Sequence, residues 1–436
     1  MFGILEWIDG SRIAALFLGL TVGIAACTPS ISGSDEATTV PSATVPITAE
    51  TDSTADSTTA EISTAVFEQA PTAAAEVQVT VAPPSDEELP PGVKQAFSTD
   101  FSRRSISFEE ILSGGPPKDG IPAIDNPKFV TTVEADEWLE DMEPVTVFQE
   151  DDDLRIYPLQ ILIWHEIVND VVGGRPVAVT FCPLCNTAIV FDATVDGMRL
   201  DFGTTGRLRF SNLLMYDRQA ESWWQQATGE AVIGKFTGTR LAFLPAPVIS
   251  WAEARDTFPE AKVLSRETSY RRNYGSNPYA GYDNINSSPF LYDGPTTPDQ
   301  LPPMARVTTV ELNGEAVAYP NEVLKETGVV NDTVGGVDVV VFWQPGVASA
   351  LDSSSIASGQ DVGTSAVFER TLNGQTLSFV GDGETITDEQ TGSSWNILGE
   401  AVAGELTGQK LEPVVRVDHF WFSWAAFRPD TRIYQP

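Results

Sequence analysis

The sequence predicts an α+β fold made of two tandem related units, mainly antiparallel β-strands with short helices. The first reason is a long internal repeat. Val145–Cys185 aligns without a gap to Val307–Val347, with 14 identities in 41 positions. The second is the prevalence of short apolar runs rich in β-branched residues, such as "PVAVTF" before Cys182 and "VVVFW" before Gln344. The third is turn chemistry: Gly173-Gly174, Gly335-Gly336 and Asp196-Gly197 all stand between such runs. The repeat continues with small gaps: "DRQAESWW" at Asp217 answers "DEQTGSSW" at Asp388, and "GEAVIGKFTGTRL" at Gly229 answers "GEAVAGELTGQKL" at Gly399. A shared period this long points to duplicated domains, not to a solenoid of short repeats.

From the amino terminus, residues 1–27 have the shape of a bacterial lipoprotein signal peptide. Arg12 precedes the apolar run Ile13–Ala26, which is too short to span a bilayer comfortably. It ends in "IAAC", which resembles a lipobox, and in such signals the cysteine, here Cys27, is lipidated. The expected location is therefore extracytoplasmic, anchored to a bacterial membrane through a lipid on Cys27. Residues 28–95 form an acidic spacer rich in Ser, Thr, Ala and Pro. It has eleven Asp or Glu and no Lys or Arg up to Pro91, a composition that buries too little apolar surface to fold. A first unit is expected over 96–265. An aromatic, Gly/Pro-rich connector covers 266–306, and a second unit covers 307–436.

The formal charge of −35 comes from 26 basic and 61 acidic side chains, which argues against nucleic acid as a partner. A protein or small-molecule partner is not identified by the sequence.

The chain has only two histidines and three cysteines, and one histidine and two cysteines fall within "WHEIVNDVVGGRPVAVTFCPLCN". The alignment sets His165 against Thr327, Glu166 against Gly328, Cys182 against Gln344 and Cys185 against Val347. Tyr-Pro, Asn-Asp and Gly-Gly stay in both copies. The shared residues read as fold determinants, and the residues lost together read as chemistry of the first unit alone. Local periodicity places a helix over "PLQILIWHEIVND", with Glu166 and Asp170 one turn apart, and a strand over "PVAVTF".

Three readings of the site stay open. Cys182, Cys185 and His165 are candidate ligands for a metal such as zinc or copper, which take mixed thiolate and imidazole sets. Cys182 and Cys185 are equally a candidate thiol–disulfide pair, with His165 and Glu166 as candidate catalytic groups. Against the thioredoxin-like version, the segment after Cys185 reads as strand, not as a helix start that would lower a thiol pKa. In the third reading, the protein is a non-catalytic surface binding protein whose CxxC is structural. A bridge across two residues closes a very small loop, so stabilisation alone explains it poorly. Trp164, Arg218 and Lys118 are candidate pocket contacts. His419, in "DHFWFSW", reads as a histidine packed among aromatics.

The motifs "SGGPPKDGIP", "WHEIVND", "FCPLCNTAIVFD", "LLMYDRQAESWWQQ" and "YRRNYGSNPYAGY" resemble the bacterial domain of unknown function 3179 family. The resemblance is strong over roughly residues 97–264, with the second copy as a degenerate relative. It implies membership without implying an activity.

Overall fold

The computed structural model describes Glu88–Pro436. The signal segment, Cys27 and most of the acidic spacer lie outside the described residues. All described residues belong to one compact unit. They form mainly antiparallel β-sheets with short helices. Among them, no helix is long and apolar enough to cross a membrane. Among the described residues, Val93 is buried with Phe97, Tyr216 and Trp223 in one core cluster.

Strands β1 (Pro144–Glu150) and β2 (Asp153–Pro158) form a hairpin that leads into helix α1 (Leu159–His165). Strands β3 (Ile167–Val172) and β4 (Arg175–Cys182) form the next hairpin, and β5 (Thr187–Asp192) adds to β4. The β3–β4 turn is Gly173-Gly174, with φ of 55° and 87°, as a tight hairpin turn of mirror-image type requires. Strand β4 is buried on both faces. Val177, Val179 and Phe181 enter one core, and Ala178 and Cys182 enter another. That accounts for its nearly continuous apolar sequence. A further sheet carries β6 (Phe202–Arg209), β7 (Asn212–Asp217), β8 (Trp223–Gln225) and β9 (Glu230–Ile233).

The helix is shorter than the sequence pattern predicts. It stops at His165, and Ile167–Val172 is strand. The apolar spacing of a short run fits either state, and pairing of "IVNDVV" with β4 decides it. Asp170 is therefore not a helical neighbour of Glu166. It accepts from Tyr157 Oη at 2.7 Å and lies 3.6 Å from Arg155 Nη1, a structural role.

A second series runs through β10 (Arg306–Leu312), β11 (Glu315–Pro320), α2 (Asn321–Thr327), β12 (Val329–Val334), β13 (Val337–Gln344) and β14 (Thr364–Glu369). A four-stranded sheet over 379–403 comes next, then β15 (Arg416–Phe420) and α3 (Trp421–Ala425). The same hydrogen bonds recur. Tyr319 donates to Asp332 at 2.8 Å. Asn331 Nδ2 bonds the Phe379 carbonyl at 2.7 Å, as Asn169 Nδ2 bonds the Phe202 carbonyl at 2.8 Å. Trp224 and Trp395 each donate to an aspartate, Asp217 and Asp388, at 3.0 Å.

Between Leu264 and Arg306 the chain has no helix or strand. It wraps instead, and Tyr274, Tyr279, Tyr282 and Tyr292 pack against the core that includes Phe420 and Phe422. Backbone bonds from Asn277 to Ser354 and from Gly281 to Asp352 fix its path.

Candidate functional site

The candidate site is built where α1 ends and β4 runs out. Glu166 terminates the helix with φ 59°, in the left-handed region that costs a residue with a side chain about 1–2 kcal/mol. The chain then reverses, so the Glu166 carbonyl accepts from Phe181 N at 2.8 Å. This reversal brings His165 and Glu166 to the Cys182 end of β4, although a continuous helix would carry them away from it.

His165 is fully buried. Its Nδ1 lies 2.7 Å from the Pro122 carbonyl, which only accepts, so Nδ1 carries the proton. Its Nε2, 2.7 Å from Tyr274 Oη, therefore accepts from the tyrosine, whose oxygen is also bonded to Thr268. Burial pushes the His165 pKa down to about 4, opposed by the Pro122 bond and reinforced by Arg272. The Glu166 carboxyl has no hydrogen-bond partner among the described residues, and burial pushes it up to about 8. Tyr279 lies close enough to feel a Glu166 charge, although burial is the larger cause of its raised pKa. At neutral pH both His165 and Glu166 are thus held uncharged.

Sequence reasoning missed the tyrosines. It also missed Glu143, whose pKa burial raises to about 7 while Gln160 Nε2 donates to it at 2.7 Å. Arg266, from the connector, bonds the Gln160 carbonyl oxygen at 3.0 Å and stacks over Trp138. The run of aromatics and arginines in residues 266–306 was the available signal. It could not show where the loop lands.

Cys182 and Cys185 lie at disulfide distance, with Cα atoms 5.4 Å apart, at the mouth of a short turn closed by Asn186 at φ 55°. Both are buried. Cys185 Sγ faces oxygen: Asn212 Oδ1 at 3.0 Å and the Ser211 carbonyl at 3.6 Å. Thr187, two residues on, donates to the Cys185 carbonyl at 3.1 Å and lies 3.0 Å from His419 Nδ1. His419 is the packed histidine that its aromatic surroundings suggest, and its nearest polar partners lie beside the cysteines.

The donor set does not fit a shared metal. Both His165 nitrogens are engaged, by Pro122 and Tyr274. Among the described residues no group of three His, Cys, Asp or Glu side chains is placed to hold an ion. Lys118 lies elsewhere, paired with Glu221 at 2.5 Å and set over Phe97 and Tyr216. The end of its loop, Pro122, is the part that reaches His165. Arg218 pairs with Asp125 at 3.1 Å. Trp164 packs at the edge of the core that holds the connector tyrosines, and its indole N–H is buried without a partner.

Residues 118–431 match the model of a family described as "Protein of unknown function (DUF3179)". The chain belongs to this family. Its span takes in both the CPLC turn and His419, so the cysteines and the helix after β15 fall inside one family unit. No curated protein and no solved structure matches the chain.

Proposed function

We propose that this DUF3179 protein is a lipid-anchored extracytoplasmic thiol–disulfide protein. Its redox pair is Cys182–Cys185, carried on the first of two duplicated units. The observation that carries the redox reading is the polar setting of the Cys185 sulfur. A bond kept only as a staple gains nothing from an acceptor at its sulfur. Here Asn212 Oδ1 at 3.0 Å receives a reduced Cys185 S–H, and when the sulfur is oxidised that oxygen keeps its bond from Ser423 Oγ at 3.1 Å. Both oxidation states are therefore satisfied without leaving a buried acceptor bare.

The reaction is exchange with an external dithiol. One partner thiolate attacks a protein sulfur and forms a mixed disulfide. The second partner thiol then displaces the protein sulfur. Two protein thiols and one partner disulfide result, with two electrons and two protons transferred. Both sulfurs are buried, so exchange requires opening of the cover in which Tyr282 Oη donates to the Leu184 carbonyl at 3.1 Å. The test is mass-tagging of thiols after equilibration in graded dithiothreitol. The pair should titrate reversibly while the fold persists. A bond that opens only on unfolding would leave the structural staple. Duplication is supported by the recurring Tyr–Asp, Asn–carbonyl and Trp–Asp bonds. Anchoring rests on the lipobox-like "IAAC", and Cys27→Ser should release the protein from the membrane fraction or leave it unprocessed.

A second reading is favoured by Glu166. A carboxyl held neutral near pH 7, on a left-handed backbone, has the features of an acid that donates to a bound ligand. Glu166→Gln keeps the shape and removes the titration. The attacking thiolate gives both proteins a common rise in rate with pH, so a further pH dependence near 8 that wild type shows and Glu166→Gln lacks would assign the proton transfer to this residue.

A further inference from the structure

A groove of about 1050 Å³ lies between the connector, helix α2, residues 352–362 and residues 431–436. Neither cysteine of the CPLC turn lines it, and neither does Glu166. Its charged lining is Asp283, Glu322, Asp352 and Asp361 against Arg306 and Lys325, a balance that disfavours an anion. A cation is poorly served too, because three of these carboxylates already accept hydrogen bonds from the fold. Asp283 accepts from Arg306 Nη2 at 2.8 Å, and Asp352 accepts from Gln360 N at 2.8 Å. Asp361 accepts from the backbone N–H groups of Gly346, Val347 and Gly363. The fourth, Glu322, stands one turn from Lys325 on α2.

The polar groups left free are neutral. Asn286, Gln300 and Gln360 line the groove and are exposed, and their side-chain amides make no hydrogen bond among the described residues. Asn284, also exposed, spends Oδ1 on Asn286 N at 2.9 Å and keeps Nδ2 free. Between these two asparagines, Ile285 lines the groove with 46% of its surface exposed. Half-buried Tyr434 lines it as well. Its ring lies 5.5 Å from that of Tyr319, and its N–H donates to the Ala318 carbonyl at 2.9 Å.

Each amide offers donors and an acceptor without charge, and apolar surface stands among them. That combination fits a polyhydroxylated ring, whose hydroxyls both donate and accept while its C–H face packs on apolar side chains. A peptide has less to hold. The strand at the groove, Arg432–Ile433, is two residues long, too short to be extended by a further strand. The volume stands at the top of the range of roughly 300–1,000 Å³ for small-molecule sites, which leaves room for more than one sugar ring.

We propose that this groove binds a neutral oligosaccharide, with hydroxyls bonded to Asn286, Gln300 and Gln360 and ring faces packed on Ile285 and Tyr434. The site is independent of the redox reading, since it involves neither sulfur. The test is calorimetry on the whole protein with maltohexaose, cellohexaose and mannohexaose. Hexagalacturonate serves as the anionic counterpart, and a neutral Gly-Ser hexapeptide as the peptide counterpart. At least one neutral hexasaccharide should bind saturably, about tenfold or more tightly than its own disaccharide and than hexagalacturonate. Asn286→Ala with Gln360→Ala should weaken that binding about tenfold, the loss of two hydrogen bonds, without moving the melting temperature. Gln300→Ala should show a smaller loss of the same kind. No saturable binding of any of the three sugars, equal affinity for hexagalacturonate, or binding of the peptide alone would overturn the sugar site. Sugar binding that survives all of these substitutions unchanged would overturn the groove as its location.

Discussion

Two helix ends, one in each half of the folded region, meet the same backbone requirement with different residues. Helix α1 ends at Glu166 with φ 59°, and α2 ends at Gly328 with φ 67°. Glycine is the ordinary solution to a left-handed cap. In the second half it is also obligatory, because a Cβ on Gly328 would collide with the backbone of Asp382 and Gly383. In the first half, the position instead carries a glutamate whose carboxyl is buried and unpartnered. The hairpins after these caps are the same length and differ at their ends: β4 finishes in Cys182 where β13 finishes in Gln344. The two hairpins match in length and differ at their margins, where a strained residue is tolerated in one half and excluded in the other.

The sharpest way to break this comparison is to exchange the caps. Gly328→Glu should be the most damaging change at pH 5, about 4 kcal/mol or more, from the collision and the unfavourable φ together. Denaturant melts would show it. A variant as stable as wild type would mean that the loop at 382–383 moves aside easily and that the two ends are interchangeable.

The recurring bonds should respond equally in both halves. Asp217 accepts from Ala220 N, Ser222 N and Trp224 Nε1 at 2.6, 2.9 and 3.0 Å. Asp388 accepts from Thr391 N, Ser393 N and Trp395 Nε1 at 2.6, 3.2 and 3.0 Å. Asp217→Ala and Asp388→Ala should each cost about 3 kcal/mol, since each strands several buried donors. A difference of more than about 2 kcal/mol between them, measured by urea unfolding, would show that the likeness of the bonds does not extend to their energies.

These residues also show what the sequence could reveal. Tyr157, Asn169, Asp170, Asp217 and Trp224 were legible as scaffold because the same residue types recur at the aligned positions of the second half, where each counterpart makes the same bond. The class of fold was readable from short β-branched runs and turn residues. The end of α1 was not legible, because "WHEIVND" satisfies a helical period and a strand equally, and only pairing with β4 chose. The surroundings of His165 were not legible either. Tyr274 lies 109 positions away, and Pro122 lies 43 positions before it. Such contacts depend on how an irregular connector wraps, which no local pattern encodes. The meeting of His419 with the cysteine turn, across 232 positions from Thr187, is of the same kind.

The cysteine pair has no equivalent in the second half, so its contribution should be local. Cys182→Ala with Cys185→Ala, which leaves no donor facing Asn212, should cost about 2 kcal/mol by the loop-entropy relation for so small a ring. If reduction of the wild type costs the same as the double substitution, the Asn212 acceptor adds nothing. If reduction costs clearly less, the Cys185 S–H bond to Asn212 is recovering part of the loss, as the redox reading requires. Melting temperatures with and without dithiothreitol make the measurement.

The smallest effect at pH 5 is the reverse cap exchange, Glu166→Gly. Relief of the left-handed backbone strain is partly offset by the greater freedom of glycine when unfolded, so a gain of up to about 1 kcal/mol is expected. Its pH dependence carries the information. The folded-state pKa of Glu166, about 8, lies above its ordinary value of 4.5. Protonated Glu166 therefore favours the folded state, with its contribution complete below pH 4.5 and lost progressively as pH rises through 8. Wild type should weaken across that window by a component that Glu166→Gly lacks, so the stability difference between them should widen from pH 5 to pH 8. Glu143, raised to about 7, titrates in both proteins and cancels from the difference. A difference that stays flat with pH would mean the Glu166 carboxyl reaches solvent, and the contrast between the two helix ends would then be one of backbone conformation alone.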